Sequence, residues 1–189
     1  MGEEHALMFV RTWAEEVLRH IERVEQTRRS VDSAYRMQGD ELGIEGEYLQ
    51  GEFRRLWAAE HTLLWAAYQL ERWRDRLDRE RGDTEREPDK ELKRARNVLE
   101  HLDTADFIGD EAVAPPWEPP EESKKCKPRD PYWSLRKLGG LSISITDDGT
   151  FCGIASSDLR DHARDVVHSV ENELGEEAAD YLAELWSER

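Results

Sequence analysis

Apolar residues recur at spacings of three and four along most of this chain, and that period predicts helices. Val10, Trp13, Ala14, Val17, Leu18, Ile21, Val24, Val31 and Tyr35 form one stripe on a first helix from about Glu4 to Gln38. At ~1.5 Å per residue so long a helix exceeds the width of a small domain. A bend or break is therefore expected near Gln26–Ser30, where the apolar side chains thin out. Gly39, Gly43 and Gly46 mark the turn that follows. A second helix, about Glu47 to Arg81, carries Leu49, Phe53, Leu56, Trp57, Leu63, Leu64, Ala67, Leu70 and Leu77. Trp65, Tyr68 and Trp73 widen its stripe, so more than one neighbour is expected to cover it. Its end, Arg72 to Arg86, is a mixed-charge run that reads as a solvated face. Gly82-Asp83 breaks the helix. Pro88 suits the first turn of a third helix from Asp89 to about Phe107, with Leu92, Ala95, Leu99 and Leu102 inward.

The pattern then changes. Six of the seven prolines lie from Pro115 to Pro131, so residues 108–137 read as an irregular, Pro-rich and basic connection. Leu141, Ile143 and Ile145 alternate with polar residues, Asp147-Asp148-Gly149-Thr150 turns the chain, and Phe151 to Ile154 returns. That predicts a β-hairpin over 138–155 with one face resting on the helices. Ser156 or Ser157 caps a last helix, whose stripe is Leu159, Ala163, Val166, Val167, Val170, Leu174, Ala178, Tyr181, Leu182 and Leu185. Gly175 is a place where it could bend. The expectation is a mainly α protein: a single helical domain over 1–189, a bundle of four long helices with a β-hairpin between the third and fourth.

Charge narrows the function. The 189 residues hold 43 Asp and Glu against 27 Lys and Arg, a net charge of −16, which disfavours non-specific binding to double-stranded DNA. The last stretch, Asp165–Arg189, is especially acidic and would suit a protein partner. No apolar run approaches a membrane span. The start Met-Gly-Glu-Glu-His lacks the basic, then apolar, character of a secretion signal, so a cytoplasmic protein is expected. Cys126 and Cys152 then read as two free thiols, with a disulfide between them as the other outcome. Against the overall charge, Lys124 to Lys137 contains Lys124, Lys125, Lys127, Arg129, Arg136 and Lys137 and one acid, Asp130, with Tyr132 and Trp133 interleaved. Phosphate neutralisation plus base stacking is how single-stranded nucleic acid is held. Pairing with the acidic surface of its own chain or of a second copy is the other reading of the same charges.

Phosphate-binding glycine loops, zinc-helix motifs and nucleophile elbows are absent. Glu15, Glu16 and His20, or Asp158, Asp161, His162 and Asp165, offer carboxylate and imidazole at helical spacing. Neither set has a matching second helix, so no metal and no cofactor are expected. The remaining candidate is Arg96-Asn97-Val98-Leu99-Glu100-His101 on the third helix. Asn97 and His101 are one turn apart and share a face, with Arg96 flanking them. A guanidinium can hold a phosphate through paired hydrogen bonds, and an imidazole can move a proton near neutrality. Lys93 and Arg94 add positive charge.

These six residues in a helical bundle resemble the active-site motif of the HEPN family. The resemblance implies a small helical protein, an endoribonuclease of a defence or toxin–antitoxin system that works without metal. It further implies a homodimer in which two copies of the motif face one another over an RNA substrate. Arg96 and His101 would then be catalytic, with Asn97 orienting them. Asp103 stands where many toxin members carry a tyrosine. The competing expectation is a non-catalytic helical interaction protein acting through protein–protein contacts.

Overall fold

The structure, a computed structural model, describes residues 2–39, 46–83, 86–116, 132–143 and 149–187. The protein is mainly helical, with small antiparallel sheets. Helix α1 spans Gly2–Gly39 and α2 spans Gly46–Arg81. They lie side by side in opposite directions. The ring of Phe9 stacks on Trp73 with centroids 4.2 Å apart, Arg28 pairs with Glu60, and Arg81 donates to Glu3 at 2.7 Å. Between these contacts runs an apolar seam. Val10, Ala14, Val17, Ile21 and Val24 of α1 share one buried cluster with Leu56, Leu63, Leu64, Ala67 and Leu70 of α2.

No break interrupts α1 near Gln26–Ser30. The expectation rested on thinning apolar side chains, but α2 accompanies the helix there. Val31 and Ala34 remain buried, and Arg28 reaches across to the buried Glu60. At ~1.5 Å per residue α1 is ~57 Å long.

The third helix, α3, is short: Lys90–Glu100, 11 residues rather than the stretch to Phe107 expected from sequence. Asp89 is its N-cap, its carboxylate accepting from the amides of Glu91 and Leu92 at 2.9 Å each. Pro88 therefore precedes the cap instead of opening the helix. His101 is the C-cap, and a single 3₁₀ turn, Leu102–Thr104, follows. Leu92, Ala95, Val98 and Leu99 are buried. Three of the expected bundle helices are long and this one is not.

The described residues of the expected connection, 108–116 and 132–137, hold regular structure, while 117–131, with most of its prolines, lie outside the described residues. Strands β1 (Asp106–Ile108) and β2 (Glu111–Val113) form a hairpin closed by Gly109-Asp110, with Gly109 at φ +62° as a two-residue turn requires. A short helix α4, Trp133–Leu138, ends on Gly139 at φ +75°, whose amide and that of Gly140 satisfy the last carbonyls. Strand β3, Leu141–Ser142, then pairs with β2, placing buried Leu141 beside fully buried Ala112.

The hairpin expected over 138–155 is replaced by two separate pairings among the described residues. Its first arm belongs to the β1–β2–β3 sheet. Its second arm, β4 (Thr150–Phe151), folds back on β5 (Ile154–Ala155) through Cys152-Gly153. Cys152 takes φ +54° there, an unusual conformation for a side chain with a Cβ. It is a free thiol, and burial pushes its pKa up to about 12, so it stays protonated near neutrality. Cys126 lies outside the described residues.

Helix α5, Ser156–Ser187, runs back along α1 and continues through Gly175. Arg160 pairs with Glu25, and Glu171 lies 3.7 Å from Arg11. Ala163, Val166 and Val170 enter the core. Beyond Glu173 every described side chain of α5 is exposed, including Leu174 and Ala178 of the expected stripe. Tyr181, Leu182 and Leu185 lie outside the described side chains.

Two substitutions on α3 separate its cap from its packing. Leu92→Ala should lower unfolding free energy by about 2–5 kcal/mol through the cavity left at a residue only 2% exposed. Asp89→Ala should cost about 1 kcal/mol. Urea denaturation followed by circular dichroism measures both, and the cap change should not exceed the core change.

Candidate functional site

Arg96 leaves α3 toward α2. Its guanidinium carbon lies 5.0 Å from the ring centre of Tyr68 and 5.7 Å from that of Trp65. One terminal nitrogen pairs with Glu100 a turn ahead, and the other donates to the Asn97 side-chain oxygen at 3.1 Å. Its Nε is buried with no hydrogen-bond partner. Stacking on two rings satisfies a flat, weakly hydrated cation without a directed acceptor at every N–H. The side chain is thus occupied on its face by rings and on its edge by a carboxylate. Arg96 and Asn97 meet, as the sequence spacing suggests.

His101 closes the helix. As C-cap it leaves the helical path (φ −110°, ψ 10°), its carbonyl receives Thr104, and its side chain is exposed. Among the described residues no hydrogen bond joins it to Arg96 or Asn97.

The helix–strand connection brings a second group together. The Tyr132 hydroxyl donates to the Thr104 carbonyl at 3.1 Å, which seats α4 against the turn after His101. Trp133, 52% exposed, then has Arg94 of α3 at 6.0 Å and Lys137 at 5.7 Å from its ring centre. Arg94 also pairs with Glu91 at 2.6 Å, and Lys93 is exposed. Lys124, Lys125, Lys127 and Arg129 lie outside the described residues. So Arg94, Tyr132 and Trp133, residues from two separate segments, form one basic and aromatic patch beside His101.

The densest cluster of charge is one that sequence reasoning passed over as a solvated face. Glu71, 9% exposed on α2, accepts from Arg86 in the segment leading to α3. His162 Nε2 of α5 lies 3.0 Å from the same carboxylate, and Arg74 contacts both. Arg86 also reaches Asp78 at 3.1 Å and Asp75 at 3.6 Å. Burial alone would raise the Glu71 pKa. The His162 hydrogen bond and the charges of Arg86 and Arg74 outweigh it, holding the carboxyl below its ordinary value.

A cleft of about 580 Å³ opens beside this cluster. Arg74, Arg86 and His162 line it together with Glu71, Glu87, Asp89, Glu91 and Asp158, so acids outnumber the cations in its wall. The arrangement serves as a clamp joining α2, the lead into α3 and α5. Arg74 three residues after Glu71 was visible in the sequence. Nothing in the spacing pointed to Arg86 or to His162, which come from other segments.

Among the described residues no group of three or more His, Cys, Asp or Glu is placed to hold a metal ion, and no helix is long and apolar enough to cross a membrane. Comparison with protein-family models, with curated proteins and with solved structures finds no match.

The Glu71 clamp gives stability a pH dependence. A carboxyl depressed in the folded state contributes fully above its unfolded value of 4.5 and loses that contribution as pH falls through the folded pKa. Acidification from about pH 6 to pH 3 should therefore lower the urea midpoint, and Glu71→Gln should flatten that part of the profile. Parallel profiles for the two proteins would show that the clamp does not carry it.

Proposed function

We propose that this chain is a non-catalytic helical interaction protein. The observation that carries the reading is the state of Arg96. An arginine that must meet a phosphate needs free N–H edges, whereas this one is stacked on Trp65 and Tyr68 and paired with Glu100. Its work is to fasten α3 to α2. His101, which would have to act with it, is capped out of the helix and joined to neither Arg96 nor Asn97. The acidic surface and the open end of α5 supply contact area for a partner.

A second reading is favoured by one arrangement. Exposed Trp133, flanked by Arg94 and Lys137, lies on the segment that Tyr132 ties to the turn after His101. A stacking ring with cations on either side fits single-stranded RNA. On that reading the chain is a HEPN-like, metal-independent endoribonuclease of a defence or toxin–antitoxin system. It would work as a homodimer, with Arg96, Asn97 and His101 completed by a second copy.

One set of proteins separates the two. Wild type incubated with single-stranded RNAs of varied sequence should leave them intact. Arg96→Ala should destabilise the fold by about 1–2 kcal/mol through lost ring and carboxylate contacts, while His101→Ala should change stability little. Cleavage by wild type that disappears in His101→Ala overturns the proposal in favour of the nuclease.

A further inference from the structure

The two ends of the bundle are unlike. At the end where α1 begins, a groove of about 450 Å³ runs between α1 and α5, floored by buried Leu7 and Val170 and edged by exposed Met8 and Leu174. Two of its lining acids, Glu3 and Glu173, both pair with Arg81 of α2. Past Glu173 the backbone of α5 stays helical to Ser187, ~20 Å further, and no described side chain there is covered. A soluble helix keeps an apolar stripe where something buries it. Here the stripe outruns the scaffold: Leu174 and Ala178 stand exposed beyond Val170, the last buried residue of the helix among those described.

The charges around this face are predominantly negative. Glu3, Glu4, Glu171, Glu173, Glu176 and Asp180 surround it, while Arg11 and Arg81 are each engaged by these acids. A second copy would bring the same acids against themselves, in a protein already at −16. We infer that the groove and the overhanging face of α5 form a docking site for a basic amphipathic helix of another protein. Its apolar side lies on Leu7, Met8, Val170 and Leu174, and its lysines or arginines face the acidic rim. This assignment rests on the interaction reading above and names the partner class for it.

The probe is a synthetic helix of about 18 residues with leucines at heptad positions and lysines elsewhere, titrated against the full chain by calorimetry. A peptide of the same composition in scrambled order controls for charge alone. The amphipathic peptide should bind at least about tenfold tighter than the scrambled one. Met8→Glu and Leu174→Glu, both at exposed positions, should each weaken it about tenfold with an unchanged thermal midpoint. The sign is diagnostic: a merely electrostatic encounter tightens when an acid is added, whereas docking on the apolar floor weakens. Equal affinity for both peptides, or tighter binding by the variants, overturns the inference. So does a concentration-dependent dimer in sedimentation that Leu174→Glu abolishes, since a second copy then covers the face. RNA cleavage reports on the function proposal and peptide binding on this site, so one can fail without the other.

Discussion

Helices of 38 and 36 residues need a partner along most of their length, and the seam between α1 and α2 is that partner. Backbone hydrogen bonds alone make an isolated helix marginal in water, because each ordered residue gives up conformational freedom for one bond. Burying a leucine or isoleucine offsets that loss by about 1.5–3 kcal/mol. Ile21, Leu56, Leu64 and Leu70, each at most 2% exposed, therefore hold the pair together. They also set its register. Once Phe9 stacks on Trp73 and Arg28 meets Glu60, a slip by one turn would strand Glu60 without its cation.

That last point explains why α2 tolerates acids inside. Glu52, Glu60 and Glu71 are all buried, and each has an arginine within reach. A buried ion pair adds little over an apolar one, but an unpaired carboxylate is costly. Such pairs act as position markers: hydrophobic contacts say that helices should touch, while buried carboxylates say where. Glu71 marks three elements at once, α2, the lead into α3, and α5. Arg96 does the complementary thing with a half-buried cation, using aromatic faces on α2 together with Glu100 of its own helix.

The parts legible in the sequence are those with a period. The two long helices and the last one emerge within a few residues of their observed bounds, because dozens of positions vote for the same 3.6-residue repeat. Strands of two or three residues cast too few votes. Phe107 therefore read as the end of a helix and Ile108 as the start of an irregular connection, and Leu141 and Phe151 read as arms of one hairpin although they join different sheets. The candidate triad divides along the same line. Arg96 donates to its neighbour Asn97, while the helix that the spacing extended to about Phe107 ends with His101 as its C-cap. The Glu71 clamp was hidden for another reason: its members come from three segments, and a charged run looks solvated unless its tertiary neighbours are known.

The same logic bears on why acidity gathers where it does. Arg81 of α2, Arg86 in the lead into α3 and Arg160 of α5 are engaged in internal pairs with Glu3, Glu173, Glu71 and Glu25. The surplus acids are left at the margins, and toward the end of α5 they coincide with apolar side chains that the fold does not cover. Charge of one sign beside uncovered hydrophobic surface keeps identical copies apart while leaving a favourable surface for an opposite partner. With Arg96 and Arg86 engaged in joining helices, the acids and apolar side chains left uncovered meet at that margin.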